Sequence, residues 1–169
     1  MENMPIDNVE WIDVDLLKSN DYNPNKVLNK EMQLIAYSIL KNGWIQPILI
    51  THDYVIIDGF HRATIGRTNQ KVRELTNGKV PCVKLKMTTP ERKLLTIRIN
   101  RAKGTHTAFK MSEIVHELVN KYHIPPEVVA KEIGATSREI ELLLRDNVFD
   151  EYNINEETLY NQAWVPKKK

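Results

Sequence analysis

The sequence predicts an α+β core reaching to about residue 105, followed by a small all-helical unit. Three observations carry that expectation. Runs with strand character ("VEWIDVDLL", "QPILI", "YVIID" and "VPCVKLK") all fall before residue 90. Segments with a helical apolar repeat lie between them. The last third holds three amphipathic segments and no strand-like run. A length of 169 residues suits one ordinary domain, or one domain with a helical appendage. The expected division is 1–105 for the core, 106–150 for the helical unit and 151–169 for a C-terminal tail.

Taken in order, "VEWIDVDLL" alternates as a strand does, and "KSNDYNPNK" is a polar loop with an Asn-Pro stop. "NKEMQLIAYSILKNG" is the clearest helix. Met32, Ile35, Ala36, Ile39 and Leu40 form its apolar stripe, and Gly43 supplies the residue just past its end. "QPILI" and "YVIID" flank "THD", most simply as a hairpin. "HRATIGRTNQ" reads as one helix, then a loop around "LTNGKVP", then the strand "VPCVKLK". "TTPERKLLTIRINRAKG" is a helix with Thr89 as N-cap and Pro90 at its first position. In the helical unit, Ser112, Pro125-Pro126 and Thr136 mark helix starts, and Gly134 ends the second helix.

Composition narrows the function classes. The chain is 41% hydrophobic and 27% charged, as a soluble globular protein is. No apolar run reaches the roughly 20 residues of a membrane span. "MENMPIDNVEWIDVD" is acidic and lacks an apolar signal core, which argues against secretion. Cys82 is the single cysteine, so a disulfide framework and a Cys-based zinc site are excluded, and a cytoplasmic setting fits. A net charge of +2 does not by itself imply a nucleic-acid binder.

The chemistry concentrates in "YVIIDGFHRATIGR". An apolar run stops at Asp58-Gly59, and His61 and Arg62 open the next helix. One reading is a plain strand-to-helix turn. The other is an anion site, in which glycine lets the backbone approach, helix N–H groups point outward and the two basic side chains add donors. Cations at a helix N-terminus cost a few tenths of a kcal/mol unless an anion lies between, which favours the second reading. Arg62 has Asp58 as an alternative partner. Asp58 itself has three candidate uses: holding a metal, orienting His61, or capping the helix.

The order "LKSNDYNPN", "GWIQPILI", "IIDGFHR", "VPCVKL" resembles the N-terminal domain shared by ParB partition proteins, sulfiredoxin and free serine kinases, over roughly residues 9 to 105. The helices after it resemble the helix-turn-helix of ParB. The resemblance implies a small mixed sheet with flanking helices, and a Gly-x-x-Arg turn that holds nucleotide phosphates at Gly59, His61 and Arg62. It also implies ATP or CTP as ligand with Mg²⁺, and nucleotide contacts at Gln46, Pro47, Asn100 and Arg101. Departures from the family pattern are informative. Phe60 stands where sulfiredoxin has its catalytic cysteine, which argues against sulfinic-acid repair. Ile99 stands where ParB has a glutamate before the asparagine, which weakens CTP hydrolysis. In serine kinases the first loop carries a catalytic acid, a role open here to Asp21, with Asp58 as the second candidate.

Two function classes therefore compete. One is a ParB-like nucleotide-binding, DNA-associated protein, with a phage or other mobile-element setting suggested by its small size and by the resemblance, and with a homodimer as the assembly to test. The other is an ATP-dependent phosphotransferase or NTPase. A nuclease ranks last, because no cluster of acids suits two metals. In the segment "TSREIELLLRDN", Arg138 and Arg145, with Lys131 before it, are the candidate DNA contacts. Glu139, Glu141 and Asp146 would repel phosphate unless they turn away.

Overall fold

A computed structural model of the chain describes residues 4–19, 29–103 and 108–145. The chain divides into two compact units, Met1–Arg92 and Lys93–Lys169.

The first unit is built on a four-stranded mixed sheet. Its strands are β1 (Val9–Asp13), β2 (Ile48–Thr51), β3 (Ile56–Asp58) and β4 (Lys79–Leu85), in the order β1-β4-β2-β3. β1 runs antiparallel to β4, β2 parallel to β4, and β2 antiparallel to β3. This is the mixed sheet that the resemblance implied. β4 takes a central place because Val80, Pro81, Cys82 and Val83 are all buried. Pro81 is tolerated there because pairing with β2 starts only at Ile48↔Cys82.

The expected hairpin forms, but its second strand is shorter than "YVIID". Tyr54 adopts φ +67, which interrupts the extended backbone. Thr51 closes the turn: its N–H donates to Val55 O at 2.9 Å, and its Oγ1 accepts from Val55 N at 3.0 Å. Lys18 adds an isolated parallel bridge to Val55.

Three helices pack in this unit: α1 (Asn29–Asn42), α2 (Phe60–Thr68) and α3 (Gln70–Leu75). α1 ends at Gly43, whose φ of +78 needs glycine and whose N–H donates to Ile39 O. Ala36 and Ile39 of α1 cluster with Ile65 of α2 and Val72 of α3. Leu40 departs from the expected stripe and is 40% exposed. A second cluster joins Ile12, Ile48, Ile50, Ile56, Val80 and Cys82 of the sheet to Ala63 of α2. α3 corrects the expectation of one helix through "HRATIGRTNQ". Asn69 leaves helical geometry at ψ 109, and its side chain accepts from Val72 N at 3.2 Å, starting a new helix.

Gly66 sets how closely α2 lies on the sheet. A Cβ there would sit 2.6 Å from Val80 Cγ1, and Val80 is fully buried. Gly66→Ala is expected to destabilise the protein by about 1–3 kcal/mol through overpacking, although alanine is the better helix former. A urea melt as stable as the parent's would show that Val80 yields freely.

The second unit follows from α4 (Thr89–Lys103), which begins in the first. It contains α5 (Ala108–His116), a π-helical turn over Glu117–Lys121, α6 (Pro126–Ile133) and α7 (Ser137–Leu143). The N-cap of α4 is Thr88, one residue before the expected Thr89. Thr88 O accepts the first intrahelical bond, from Arg92 N, and Glu91 accepts from both Thr88 N and Thr88 Oγ1. Ser112 does not start a helix. It lies inside α5, buried, and donates Oγ to Leu143 O at 2.6 Å. Pro126 does open α6, Gly134 ends it at φ +66, and Thr136 caps α7 by accepting from Glu139 N. Val115, Leu118, Val129, Ile133, Ile140 and Leu143 are buried. Among the described residues no helix is long and apolar enough to cross a membrane.

Candidate functional site

Gly59 ends β3 and opens α2. Its φ of +94 and ψ of 24 are left-handed, and its carbonyl accepts from Ala63 N at 2.9 Å, making it the N-cap. A glycine N-cap carries no side chain over the helix end. The N–H groups of Phe60, His61 and Arg62 have no acceptor within their own helix, and the positive end of the helix lies there. A side chain would also be tightly packed here. A Cβ would lie 3.3 Å from Ile48 Cα and 3.1 Å from Arg62 Nη2.

Arg62 ties the turn to the chain before β2. Its Nη1 donates to Gln46 O at 2.8 Å and to Pro47 O at 3.0 Å, and its Nη2 donates to Asp58 Oδ2 at 3.1 Å. Asp58 and Arg62 stand four residues apart and are 18% and 16% exposed. Burial lowers the guanidinium below its ordinary pKa, and the Asp58 carboxylate works against that shift. The group stays cationic at neutral pH. His61 is half-buried in the same first turn.

The structure thus joins four of the residues selected from the sequence (Gln46, Pro47, Asp58 and Arg62) through one guanidinium, beside Gly59. The Asp58–Arg62 contact was among the alternatives the sequence offered. The contacts to Gln46 and Pro47 were not, because backbone acceptors 16 and 15 residues away leave no local pattern.

Asn100 and Arg101 lie in α4, in the second unit. Arg101 forms an ion pair with Glu139 of α7, and its Nη2 donates to Gly134 O at 3.2 Å. That contact turns one of the two described acids of "TSREIELLLRDN" toward Arg101; Glu141 is exposed. Lys131, Arg138 and Arg145 are exposed as well. Asp21 and Asp146 lie outside the described residues, as does the tail from 151 onward. Among the described residues no three His, Cys, Asp or Glu side chains are placed to hold a metal ion.

Residues 2–100 match the ParB N-terminal domain. The chain belongs to the ParB N-terminal domain family. It is 37% identical over 167 residues to the uncharacterized protein YbdM of Escherichia coli K12, covering 96% of this chain and 78% of that one. It is 26% identical to the probable chromosome-partitioning protein ParB of Rickettsia typhi, covering 82% of this chain. It spans only 47% of that ParB, about half its length. Among solved structures, the C-terminally truncated chromosome-partitioning protein ParB of Caulobacter crescentus, complexed to the centromeric parS site, shares the fold. The TM-score is 0.53 at 17% identity, over 83% of this chain and 75% of that one.

Proposed function

We propose that this ParB-family chain binds a nucleoside triphosphate at the Gly59 turn and associates with DNA through its second unit, in the cytoplasm. The observation that carries the nucleotide reading is the left-handed Gly59, which opens α2 with no side chain over the helix end and with His61 beside it. Backbone N–H groups and a positive helix end suit phosphate oxygens, and His61 adds a side-chain donor. ATP and CTP are the candidate ligands, with Mg²⁺ neutralising part of the triphosphate charge. The chain acts as a binding module in this reading. Ile99, standing where ParB has a glutamate, has no group to hold a metal or activate water.

Calorimetric titration with ATP, CTP and GTP and their diphosphates, with and without Mg²⁺, tests it. At least one triphosphate is expected to bind with a Kd on the order of micromolar, about −8 kcal/mol. Absence of heat with all of them overturns the reading.

Support for DNA comes from family membership and from the exposure of Lys131, Arg138 and Arg145, with Glu139 drawn to Arg101. With few phosphate contacts on offer, binding is expected to be weak, with a slope of log K on log [salt] of roughly −2 to −4. The double variant Arg138→Ala/Arg145→Ala should flatten that slope by about two. Fluorescence anisotropy with a labelled duplex at low salt measures both. No binding to any duplex leaves the second unit as a packing element.

A further inference from the structure

We propose that Arg62 is a positioning residue: it holds the Gln46-Pro47 segment against the Gly59 turn and does not itself grip phosphate. The inference rests on the nucleotide reading of that turn. The basic residue in the sequence invites the opposite role, direct ligation.

Three observations decide between them. First, both Nη1 hydrogens are committed, to Gln46 O at 2.8 Å and Pro47 O at 3.0 Å, and Nη2 bonds Asp58 at 3.1 Å. Second, the side chain is only 16% exposed, so little of the fork faces outward. Third, the same guanidinium stands where a Cβ on Gly59 would fall, 3.1 Å away, beside Ile48 of β2. The segment that Arg62 grips runs directly into Ile48. One side chain therefore fixes the spacing between the start of β2 and the start of α2.

Swinging out to meet a phosphate would strip the guanidinium from two carbonyls and a partly buried carboxylate. The bonds to Pro47 O and Asp58 are partly buried, so losing them costs more than a new exposed contact returns. Lysine cannot substitute. Its ammonium is a compact point charge, whereas the planar fork of arginine reaches acceptors on two sides at once. Contact with phosphate then falls to the N–H groups of the first turn of α2 and to His61, held in place by the strut.

The two roles predict different patterns across a phosphate series. Arg62→Ala and Arg62→Lys would each be titrated with CTP, CDP and CMP at several salt concentrations. A positioning role predicts that affinity falls by one common factor, on the order of tenfold, for every ligand that the parent binds. It also predicts an unchanged salt dependence and no rescue by lysine. A loss confined to the more highly phosphorylated ligands, a salt slope shallower by about one, or recovery with lysine would overturn it.

A second measurement uses the unliganded protein. Amide resonances of Gln46 and Ile48 should shift, and the Ile48 amide should exchange faster, in both variants. Unchanged resonances at Gln46 and Ile48 would also overturn the proposal. Failure of the parent to bind any nucleotide would end the nucleotide reading, and the amide measurement would then judge the strut by itself.

Discussion

Glu117→Ala is expected to destabilise the helical unit by about 3 kcal/mol. Glu117 sits at the start of the π-helical turn and pairs with Lys93 of α4, whose side chain is only 2% exposed. It also accepts from Lys121 at 3.0 Å. Lys93 is flanked on its helix by buried Leu94 and Ile97. A buried charge that loses an ion-pair partner keeps its desolvation cost and loses that part of the compensating attraction. Because Glu117 is itself 25% exposed, the low end of the range for such a deletion applies.

Removing both partners should hurt less. Lys93→Met/Glu117→Leu is expected to recover most of the loss, since apolar groups of similar length leave no charge to satisfy. The pH dependence has a definite sign. Burial alone would raise the Glu117 carboxyl, but hydrogen bonds from Lys93 and Lys121 outweigh it and hold the group below its ordinary 4.5. A depressed folded value means that the contribution is complete above about 4.5 and fades as the pH drops through the lower folded value. Urea melts followed by circular dichroism at pH 7 and at steps down to pH 3 measure both effects. An alanine variant as stable as the parent, or parent and variant curves that do not converge in acid, would show the pair to be incidental.

What could be read in the sequence follows from how local each signal is. The strands, α1 with its Gly43 stop, and the caps at Gly134 and Thr136 were legible because each depends on residues within one turn of itself. The mixed order of the sheet came from resemblance, since nothing in "QPILI" states that it runs parallel to "VPCVKLK". α3 was hidden although Asn69 is a good N-cap, because α2 and α3 abut and their apolar repeats run together. Thr88 has in Thr89 a neighbour with the same hydroxyl; the reciprocal bonds with Glu91 decide between them. Ser112 looks like a helix start and serves instead as a buried donor to a carbonyl 31 residues away. The π turn has no composition of its own: "ELVNK" would suit an ordinary helix. At the candidate site, the glycine and its basic neighbours are conspicuous in the sequence. The partners of Arg62 are not, since two of the three are backbone carbonyls supplied by the fold.

The decisive test of the candidate site is at Gly59. Gly59→Val is expected to reduce nucleotide affinity by more than about 100-fold, the equivalent of losing two or more charge-assisted bonds to phosphate. Two separate effects act. A φ of +94 places any L residue in strained backbone, at about 1–2 kcal/mol for alanine and more for a β-branched side chain. The added Cβ would also press on Ile48 Cα at 3.3 Å, and Ile48 is fully buried and part of β2. Backbone atoms of a paired strand cannot step aside as a flexible side chain can. The turn would have to rotate, carrying the first N–H groups of α2 away from the direction they share. Valine therefore threatens the fold as well as the site, so Gly59→Ala belongs beside it. Alanine brings the same Cβ with less strain. It should leave a cooperative melt, lowered by about 1–3 kcal/mol, and still weaken every nucleotide by at least about tenfold. Titration of the folded alanine variant separates the two effects. Affinity equal to the parent's would place the nucleotide somewhere other than the Gly59 turn, and the glycine would then be there for the close approach of Ile48 alone.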